Sequence, residues 1–188
     1  MKVHLSTLVS IWLSLTTIYL AVDTFNDYYY EKHSETVKVE EELNPIVEDN
    51  YAEQVQCLAV NIYHEARSDS RLGQEAVGLV TMNRVSDSRY PDTVCDVVYQ
   101  AHVDRNGNPI RNKCQFSWYC DGKADQPLES NAWEEAYLLS IHVINMYDVI
   151  SDPTEGSIMY HAVNVKPYWT DAYKHKVTIG DHIFYGSL

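Results

Sequence analysis

The strongest structural constraint in this chain lies in residues 55–85, where apolar side chains recur at helical spacing on both sides of a short polar turn. The first run comprises Val55, Leu58, Ala59, Ile62 and Ala66, and the second Leu72, Ala76, Val77, Val80 and Val85. The polar turn between them reads Ser-Asp-Ser over residues 68–70. This pattern predicts two amphipathic helices whose apolar faces pack together.

Glu65 stands where the first apolar run gives way to the polar turn. We expect a carboxyl group there to be partly dehydrated on its helix side and open to a ligand on its loop side. Because dehydration raises the pKa of a carboxyl group, such a residue can stay protonated near neutral pH and act as a general acid. This is the chemistry of glycoside cleavage. The alternative is an ordinary solvated glutamate, or one paired with Arg67.

Five short segments follow in order along the chain: NIYHEAR (61–67), GQEAV (73–77), NRV (83–85), CQFSW (114–118) and IGDHIF (179–184). Together they resemble the motif series of the SleB-type (spore-cortex-lytic) cell wall hydrolases. The resemblance extends from about Cys57 to the C-terminus. It implies a lysozyme-like catalytic domain in which Glu65 is the catalytic acid.

The remaining pattern predicts a mainly α domain of the α+β, lysozyme-like kind over residues 52–188, with a small C-terminal β element. A short third helix is expected over Thr93–Tyr99 and a fourth from Ser130 to about Val149. Residues 101–129 are rich in Asn, Gly, Asp and Pro, which predicts a long functional loop. A hairpin is expected around Val177–Tyr185.

Residues 1–22 predict a membrane segment. Lys2 is their only formal charge, and Leu5–Val22 is an apolar run of 18 residues laced with Ser and Thr. A cleaved signal peptide needs small residues before the cleavage site, whereas the bulky Tyr19 stands two positions before Ala21. We therefore expect an uncleaved signal anchor, with the catalytic domain in the periplasm or otherwise outside the cytoplasm. The weak hydrophobicity resembles the signal-arrest-release segments of phage endolysins, which makes later release from the membrane an alternative.

Charge separates a tether from the globular part. Residues 23–56 contain ten acidic residues against Lys32 and Lys38, and residues 23–51 have little apolar periodicity, so they predict an acidic tether. The whole chain carries a formal net charge of -13. No cluster of Lys and Arg exceeds two adjacent positions, and the composition therefore excludes nucleic acid as a partner.

All four cysteines, Cys57, Cys95, Cys114 and Cys120, lie in the globular part. An even number in an exported domain indicates disulfides, and four cysteines allow three pairings. We favour Cys57 with Cys95, joining the first helix to the third, and Cys114 with Cys120, closing a short loop. A zinc site is the alternative, but the spacing lacks a Cys-x-x-Cys pair. No metal or cofactor is predicted.

Several residues around these motifs have natural roles in sugar binding. The expected hydrogen-bonding residues are Gln115, Ser117 and Asp121, the expected stacking platforms are Trp118, Tyr119 and Trp169, and Tyr160 and His161 occupy an aromatic-rich family segment. For Trp118 and Tyr119 the alternative is core packing. For His161 and His182 it is a hydrogen-bonded structural histidine. Asn83 and Arg84 are expected to serve structure, by capping or bridging around the second helix.

These features together predict a glycosidase that cleaves the MurNAc-GlcNAc backbone of peptidoglycan. No second carboxylate stands out in a motif, although Asp121 and Asp171 are loop acids near motif residues. We therefore expect a lytic transglycosylase, in which the muramic 6-hydroxyl attacks and Glu65 serves as acid and then base. One alternative is a non-catalytic wall-binding or structural protein. Another is a zinc peptidase, whose motif requires a second histidine four positions after His64, where Ser68 stands.

Overall fold

Two packed helices form the centre of the fold. The computed structural model describes residues 50–188, in which helix α1 occupies residues 50–66 and helix α2 Arg71–Val85. Residues 50 and 51, predicted as the end of the tether, belong to α1. The predicted membrane segment, residues 1–22, and the rest of the tether lie outside the described residues. Within residues 50–188, no helix is both long enough and apolar enough to span a bilayer.

The predicted packing of α1 against α2 is confirmed. Leu58 and Ile62 from α1 and Leu79 and Val80 from α2 are fully buried. The prediction was wrong for Leu72, which is 51% exposed. It lies in the first turn of α2, where Ser70 caps the helix by accepting a hydrogen bond from the amide of Gly73 at 3.1 Å.

Helices α3, Val94–Val98, and α4, Ser130–Met146, complete the helical part. Both were predicted, and each is shorter than expected. Thr93 caps α3 by accepting a hydrogen bond from the amide of Asp96 at 3.1 Å. Helix α4 packs closely on the α1–α2 pair at Gly78, where an added Cβ would lie 3.0 Å from Ile62 and 3.4 Å from Val143.

A β-hairpin occupies part of the predicted loop 101–129. Strands β1, Ala101–Val103, and β2, Pro109–Cys114, pair antiparallel, and a 3-10 helix follows at Ser117–Cys120. The Asp104 carboxylate accepts hydrogen bonds from the amides of Asn106 and Asn108 at 2.8 and 2.9 Å and so shapes the turn. Sequence reasoning missed the hairpin because its strands are mostly exposed and lack alternating apolar residues.

The C-terminal β element is larger than predicted. Strands β3, Met159–Ala162, β4, Lys174–Ile179, and β5, His182–Gly186, form an antiparallel sheet in the order β3-β5-β4, with a 3-10 helix at Tyr168–Ala172. The predicted hairpin is the β4–β5 pair. Ile179 and Phe184 pack on Ala76 and Val80 of α2, which joins the sheet to the helices. The mixed α+β class is confirmed.

Both predicted disulfides are present. Cys57 bonds to Cys95 and ties α1 to α3, with Cα atoms 5.2 Å apart. Cys114 bonds to Cys120 and closes the segment between β2 and the first 3-10 helix, with Cα atoms 6.1 Å apart.

Removing the two disulfides separately should destabilise the domain by different amounts. The sequence separations are 38 residues for Cys57–Cys95 and 6 for Cys114–Cys120. Because the entropy lost by the unfolded chain grows with the closed loop, alanine at the first pair should lower the free energy of unfolding by about 4 kcal/mol, and at the second by about 2 kcal/mol. Urea unfolding of the two double variants measures both. A larger loss from the shorter loop would contradict this account.

Candidate active site

A cleft of about 780 Å³ opens beside the C-terminal end of α1. Glu65 lines it, together with seven of the eight residues predicted to bind substrate: Gln115, Ser117, Trp118, Asp121, Tyr160, His161 and Trp169. A second cavity of about 340 Å³ shares Glu65, Ala162 and His182 with the cleft. The carboxyl group of Glu65 therefore lies where two open spaces meet.

Burial controls the protonation of Glu65. It raises the pKa of the carboxyl group above its usual value, although a hydrogen bond from Tyr160 and the charge of Arg84 act in the opposite direction. The Tyr160 hydroxyl donates to Oε2 at 3.0 Å. A glutamic acid that keeps its proton to higher pH and is held in one orientation has the properties of a general acid.

Tyr160, on β3, is suited to be a permanent donor. Burial, and secondarily the charge of Glu65, raise the pKa of its phenol well above the usual value. The hydroxyl therefore keeps its proton across the physiological range. It orients one carboxyl oxygen of Glu65 in either ionisation state of that residue.

Arg84 places a buried positive charge beside the cleft. Its Nε donates to the carbonyl of Ile158 at 2.7 Å, and its guanidinium lies 4.9 Å from the ring centroid of Phe116. Its Nη1 has no hydrogen-bond partner among residues 50–188. The guanidinium stays charged and favours the ionised form of Glu65 once the proton has left. Sequence reasoning assigned Arg84 a structural role and missed this one.

Asn83, beside it, has the bridging role that was predicted. Its Nδ2 donates to the Asp152 carboxylate and to the carbonyl of Ser157, each at 3.0 Å. Its Oδ1 accepts a hydrogen bond from the Tyr147 hydroxyl at 2.9 Å. These bonds join α2 to the end of α4 and to the segment that leads into β3.

Asp69 and His182 form a buried pair that the sequence did not reveal. Asp69 Oδ2 lies 3.1 Å from His182 Nδ1 and 3.0 Å from the amide of Asp181, while Oδ1 accepts from the amide of Ser70 at 2.6 Å. Burial alone would raise the pKa of Asp69, but these hydrogen bonds outweigh it and hold the pKa below its usual value. Sequence reasoning missed the pair because Asp69 stands in the polar turn 68–70, which is typical of a solvated loop residue, and His182 is 113 positions away.

Two side chains of α1 fix the wall formed by residues 121–129. The Tyr63 hydroxyl accepts hydrogen bonds from the amides of Leu128 and Glu129 at 3.0 and 3.1 Å. His64 Nε2 bonds the carbonyl of Asp125 at 2.8 Å. The segment around Glu65 thus positions both the acid and the facing wall of the cleft.

Comparison with known proteins places the chain in a family. A family model described as Cell Wall Hydrolase matches residues 68–185. The chain belongs to the cell wall hydrolase family. The resemblance seen in the sequence is thereby confirmed, and the matched region begins three residues after Glu65.

Individual relatives agree with this assignment. The spore cortex-lytic enzyme of Bacillus cereus is 30% identical over 133 residues, which cover 69% of this chain and 43% of that protein. This cell wall hydrolase therefore spans less than half the length of that relative. The catalytic domain of the germination-specific lytic transglycosylase SleB from Bacillus anthracis is similar with a TM-score of 0.51 and 27% identity, covering 70% of this chain and 93% of that one.

The aromatic residues predicted as stacking platforms differ in how exposed they are to the cleft. Trp118 is 7% exposed, stacks on His64 at 4.7 Å and donates to Asn61 Oδ1 at 3.0 Å, so most of its surface serves packing. Tyr119 packs against Tyr99 and is absent from the cleft lining among the described residues. Trp169 is half-buried and lines the cleft.

His161 has the structural environment named as its alternative. Its Nδ1 bonds the carbonyl of Ala162 at 2.8 Å and its Nε2 bonds the Tyr185 hydroxyl at 3.0 Å. Both ring nitrogens are occupied, so its contribution to the cleft is the shape of the wall.

The two loop acids considered as partners of Glu65 occupy different places. Asp121 lines the cleft but pairs with Lys123 at 3.2 Å, and the hydrogen bond from the Lys123 amide holds the pKa of Asp121 below its usual value. Asp171 is exposed and does not line the cleft of the described domain. Asp125 also lines the cleft, and sequence reasoning missed it.

A zinc site was the alternative named for the cysteines and for His64. Over residues 50–188, no group of three or more His, Cys, Asp or Glu side chains is arranged to hold a metal ion. His64, which suggested a zinc peptidase, stacks on Trp118 and bonds the carbonyl of Asp125.

Proposed function

We propose that this hydrolase cleaves the MurNAc-GlcNAc backbone of peptidoglycan as a lytic transglycosylase, with Glu65 as the acid. The observation that carries the proposal is the Glu65 carboxyl group, dehydrated enough to raise its pKa and held by Tyr160 where two cavities meet. A glycan strand that crosses this junction would present its glycosidic oxygen to the acid. The family assignment supports the same substrate class.

The reaction needs one proton and one nucleophile. Glu65 donates its proton to the glycosidic oxygen as the bond to the anomeric carbon breaks, and the charge of Arg84 favours the carboxylate that remains. The muramic 6-hydroxyl then attacks the anomeric carbon and releases its proton, which restores the acid in the simplest cycle. The products are a free hydroxyl end and a 1,6-anhydromuramic end.

Attack by the sugar's own hydroxyl, and not by water, is supported by the acids of the cleft. Inverting hydrolysis needs a second carboxylate as base, and the retaining route needs one as nucleophile. Asp121 is paired with the Lys123 ammonium at 3.2 Å, and Asp125 lies on the same wall of the cleft, with no hydrogen bond to Glu65 among the described residues. The relative from Bacillus anthracis, named a lytic transglycosylase, supports the same route.

Digests in oxygen-18 water test this function. Mass spectrometry of peptidoglycan fragments should show 1,6-anhydromuramic ends without label. Labelled reducing ends would show that water attacks and would refute the transglycosylase route while retaining a glycosidase. Intact strands bound to the protein without any release would favour the non-catalytic wall-binding alternative.

Substrate contacts in this proposal come from the cleft walls. Gln115, Ser117 and Asp121 offer hydrogen bonds to sugar hydroxyl and acetamido groups, and Trp169 offers part of a ring face for stacking. Trp118 and His161 shape the cleft from behind, and Tyr160 acts through Glu65. We expect the polar contacts to orient the strand and the aromatic ring to supply apolar contact area.

Replacing Tyr160 with phenylalanine should shift the alkaline limb of the pH-rate profile to higher pH. The working form of Glu65 is protonated, so kcat/KM falls as pH rises through the pKa of Glu65. The Tyr160 hydrogen bond lowers that pKa, and its removal therefore raises it further. Profiles of kcat/KM against pH measure the shift, with Tyr137→Phe on α4 as the matched control. An alkaline limb at the same or a lower pH in the variant would contradict the role of Tyr160 in lowering the pKa of Glu65.

Export fits this function. Two disulfides in one small domain are typical of oxidising compartments outside the cytoplasm. We propose that residues 1–22 anchor the chain in the membrane and that the acidic tether carries the domain towards the wall. Carbonate extraction of membranes tests the anchor, since an integral segment stays in the pellet and a released chain appears in the supernatant.

A further inference from the structure

The Asp69–His182 pair is not used by the acid chemistry of Glu65, although it lies beside it. The side chains of His182 and Asp69 are only 8% and 4% exposed. A buried carboxylate is costly unless it is hydrogen-bonded, and Asp69 accepts from two backbone amides in addition to His182. A Cβ on either Gly73 or Gly180 would overlap the Asp69 carboxyl group, so both flanking segments leave space for it.

Asp69 determines which nitrogen of His182 carries the proton. An ionised carboxylate can only accept hydrogen bonds, so Nδ1, at 3.1 Å from Oδ2, must be the donor. In a neutral imidazole the other nitrogen, Nε2, is then an acceptor with a free lone pair. Nε2 makes no hydrogen bond to any residue of the described domain.

His182 lies at the edge of the same space as Glu65. His182 and Glu65 both line the cleft and the second cavity. Tyr160 contacts both, because its hydroxyl donates to Glu65 at 3.0 Å and its ring meets the His182 ring edge-on at 5.2 Å. The titratable groups around His182 are therefore Asp69 from the α1–α2 turn, Tyr160 from β3 and Glu65 from α1. Its register neighbours in the sheet are the apolar residues 162 and 179.

We propose that His182 is a further catalytic residue, whose Nε2 accepts the proton of the attacking hydroxyl, and that Asp69 is its positioning residue. The inference rests on the proposed function, and it assigns to His182 the base role that the simplest cycle gives to Glu65. Glu65 loses its proton to the glycosidic oxygen, the bond from that oxygen to the anomeric carbon breaks, and the attacking oxygen bonds to the same carbon. Its proton passes to Nε2. Exchange with solvent then returns a proton to Glu65 and removes one from His182.

Asp69 makes this step favourable in two ways. It holds the imidazole in the tautomer that can accept, and its negative charge stabilises the imidazolium that forms. The carboxylate is already in place before the reaction, so no reorganisation is needed when the charge develops. With His182 as the base, Glu65 does not have to release one proton and take up another during the same bond exchange.

The tautomer can be tested on the unmodified full chain. Long-range proton–nitrogen NMR spectra of chain labelled with nitrogen-15 in histidine should show, at neutral pH, Nδ1 of His182 protonated and Nε2 unprotonated. The Asp69→Asn variant identifies the signal, because an amide can donate to Nδ1 and so favour the opposite tautomer. A wild-type signal with the proton on Nε2 would overturn the proposal without any need for a stable variant of His182.

Kinetics provide the second test. His182→Gln, with thermal unfolding to verify its fold, should lower kcat by about a hundredfold or more with little change in KM. The matched control is His175→Gln on the exposed face of the neighbouring strand β4, which should keep wild-type kcat.

The possible outcomes distinguish this inference from the proposed function on which it rests. A folded His182→Gln variant that keeps more than a third of wild-type kcat overturns the inference alone. A wild-type chain that releases no glycan fragments overturns the proposed function and the inference with it.

Discussion

Replacing Glu65 with glutamine should lower the rate of glycan release by about a hundredfold to ten-thousandfold. The amide keeps the shape of the side chain and can still accept the hydrogen bond from Tyr160, but it has no proton of suitable acidity for the leaving oxygen. Because burial already disfavours the charged carboxylate, a neutral amide should be tolerated and the fold retained. Fragment release measured by mass spectrometry and thermal unfolding report the two properties separately.

Glu134→Gln is the matched control, since that residue is exposed on α4 and does not line the cleft of the described domain. It should leave turnover unchanged. A folded Glu65→Gln variant with more than a tenth of wild-type turnover would remove Glu65 as the acid. Activity of the wild type that disappears with a chelator would instead support the zinc peptidase alternative.

Replacing Gly180 with alanine should destabilise the domain by about 2 to 5 kcal/mol. The backbone there has a φ of 54°, which L residues rarely adopt, and a Cβ would overlap the Asp69 carboxyl group. That carboxylate cannot simply move aside, because it accepts hydrogen bonds from Ser70, Asp181 and His182. The overlap would therefore disrupt the junction between the α1–α2 turn and the β4–β5 hairpin.

Gly107→Ala separates backbone strain from overlap. Gly107 has a φ of 84°, but no atom of the described chain lies within 4 Å of its added Cβ. This variant should lose only the strain, about 1 to 2 kcal/mol. Denaturant unfolding of both variants gives the difference. Equal losses would show that the Asp69 carboxyl group tolerates a side chain at position 180, contrary to its packing here.

Where local patterns were strong, the sequence predicted the structure well. The helical spacing of residues 55–85 predicted α1 and α2, and the boundary position of Glu65 predicted its partial dehydration. The β4–β5 hairpin and both disulfides were also predicted. The β1–β2 hairpin was missed because its turn is shaped by hydrogen bonds that the Asp104 carboxylate accepts, and no apolar alternation marks its strands.

The same distinction between local patterns and long-range contacts applies to the candidate site. The ordered motifs identified Glu65 and the lining residues, but their individual roles depend on which atoms are already engaged. Trp118 and His161 are committed to contacts within the domain, and Asp121 is held by Lys123. The partner of Trp118 lies 57 positions away and one partner of His161 lies 24 positions away, so no local pattern could reveal these two contacts.

By itself, the sequence determined the family, the helical core, the disulfide-bearing cysteines and the glutamate proposed as the acid, because each depends on spacing within one segment or on a motif in order. Only the tertiary structure decided the environment of that acid. Glu65 and Tyr160 are 95 positions apart, and Asp69 and His182 are 113 positions apart. Packing the sheet against α1 and α2 brings these groups together, and their burial there determines which of them hold protons.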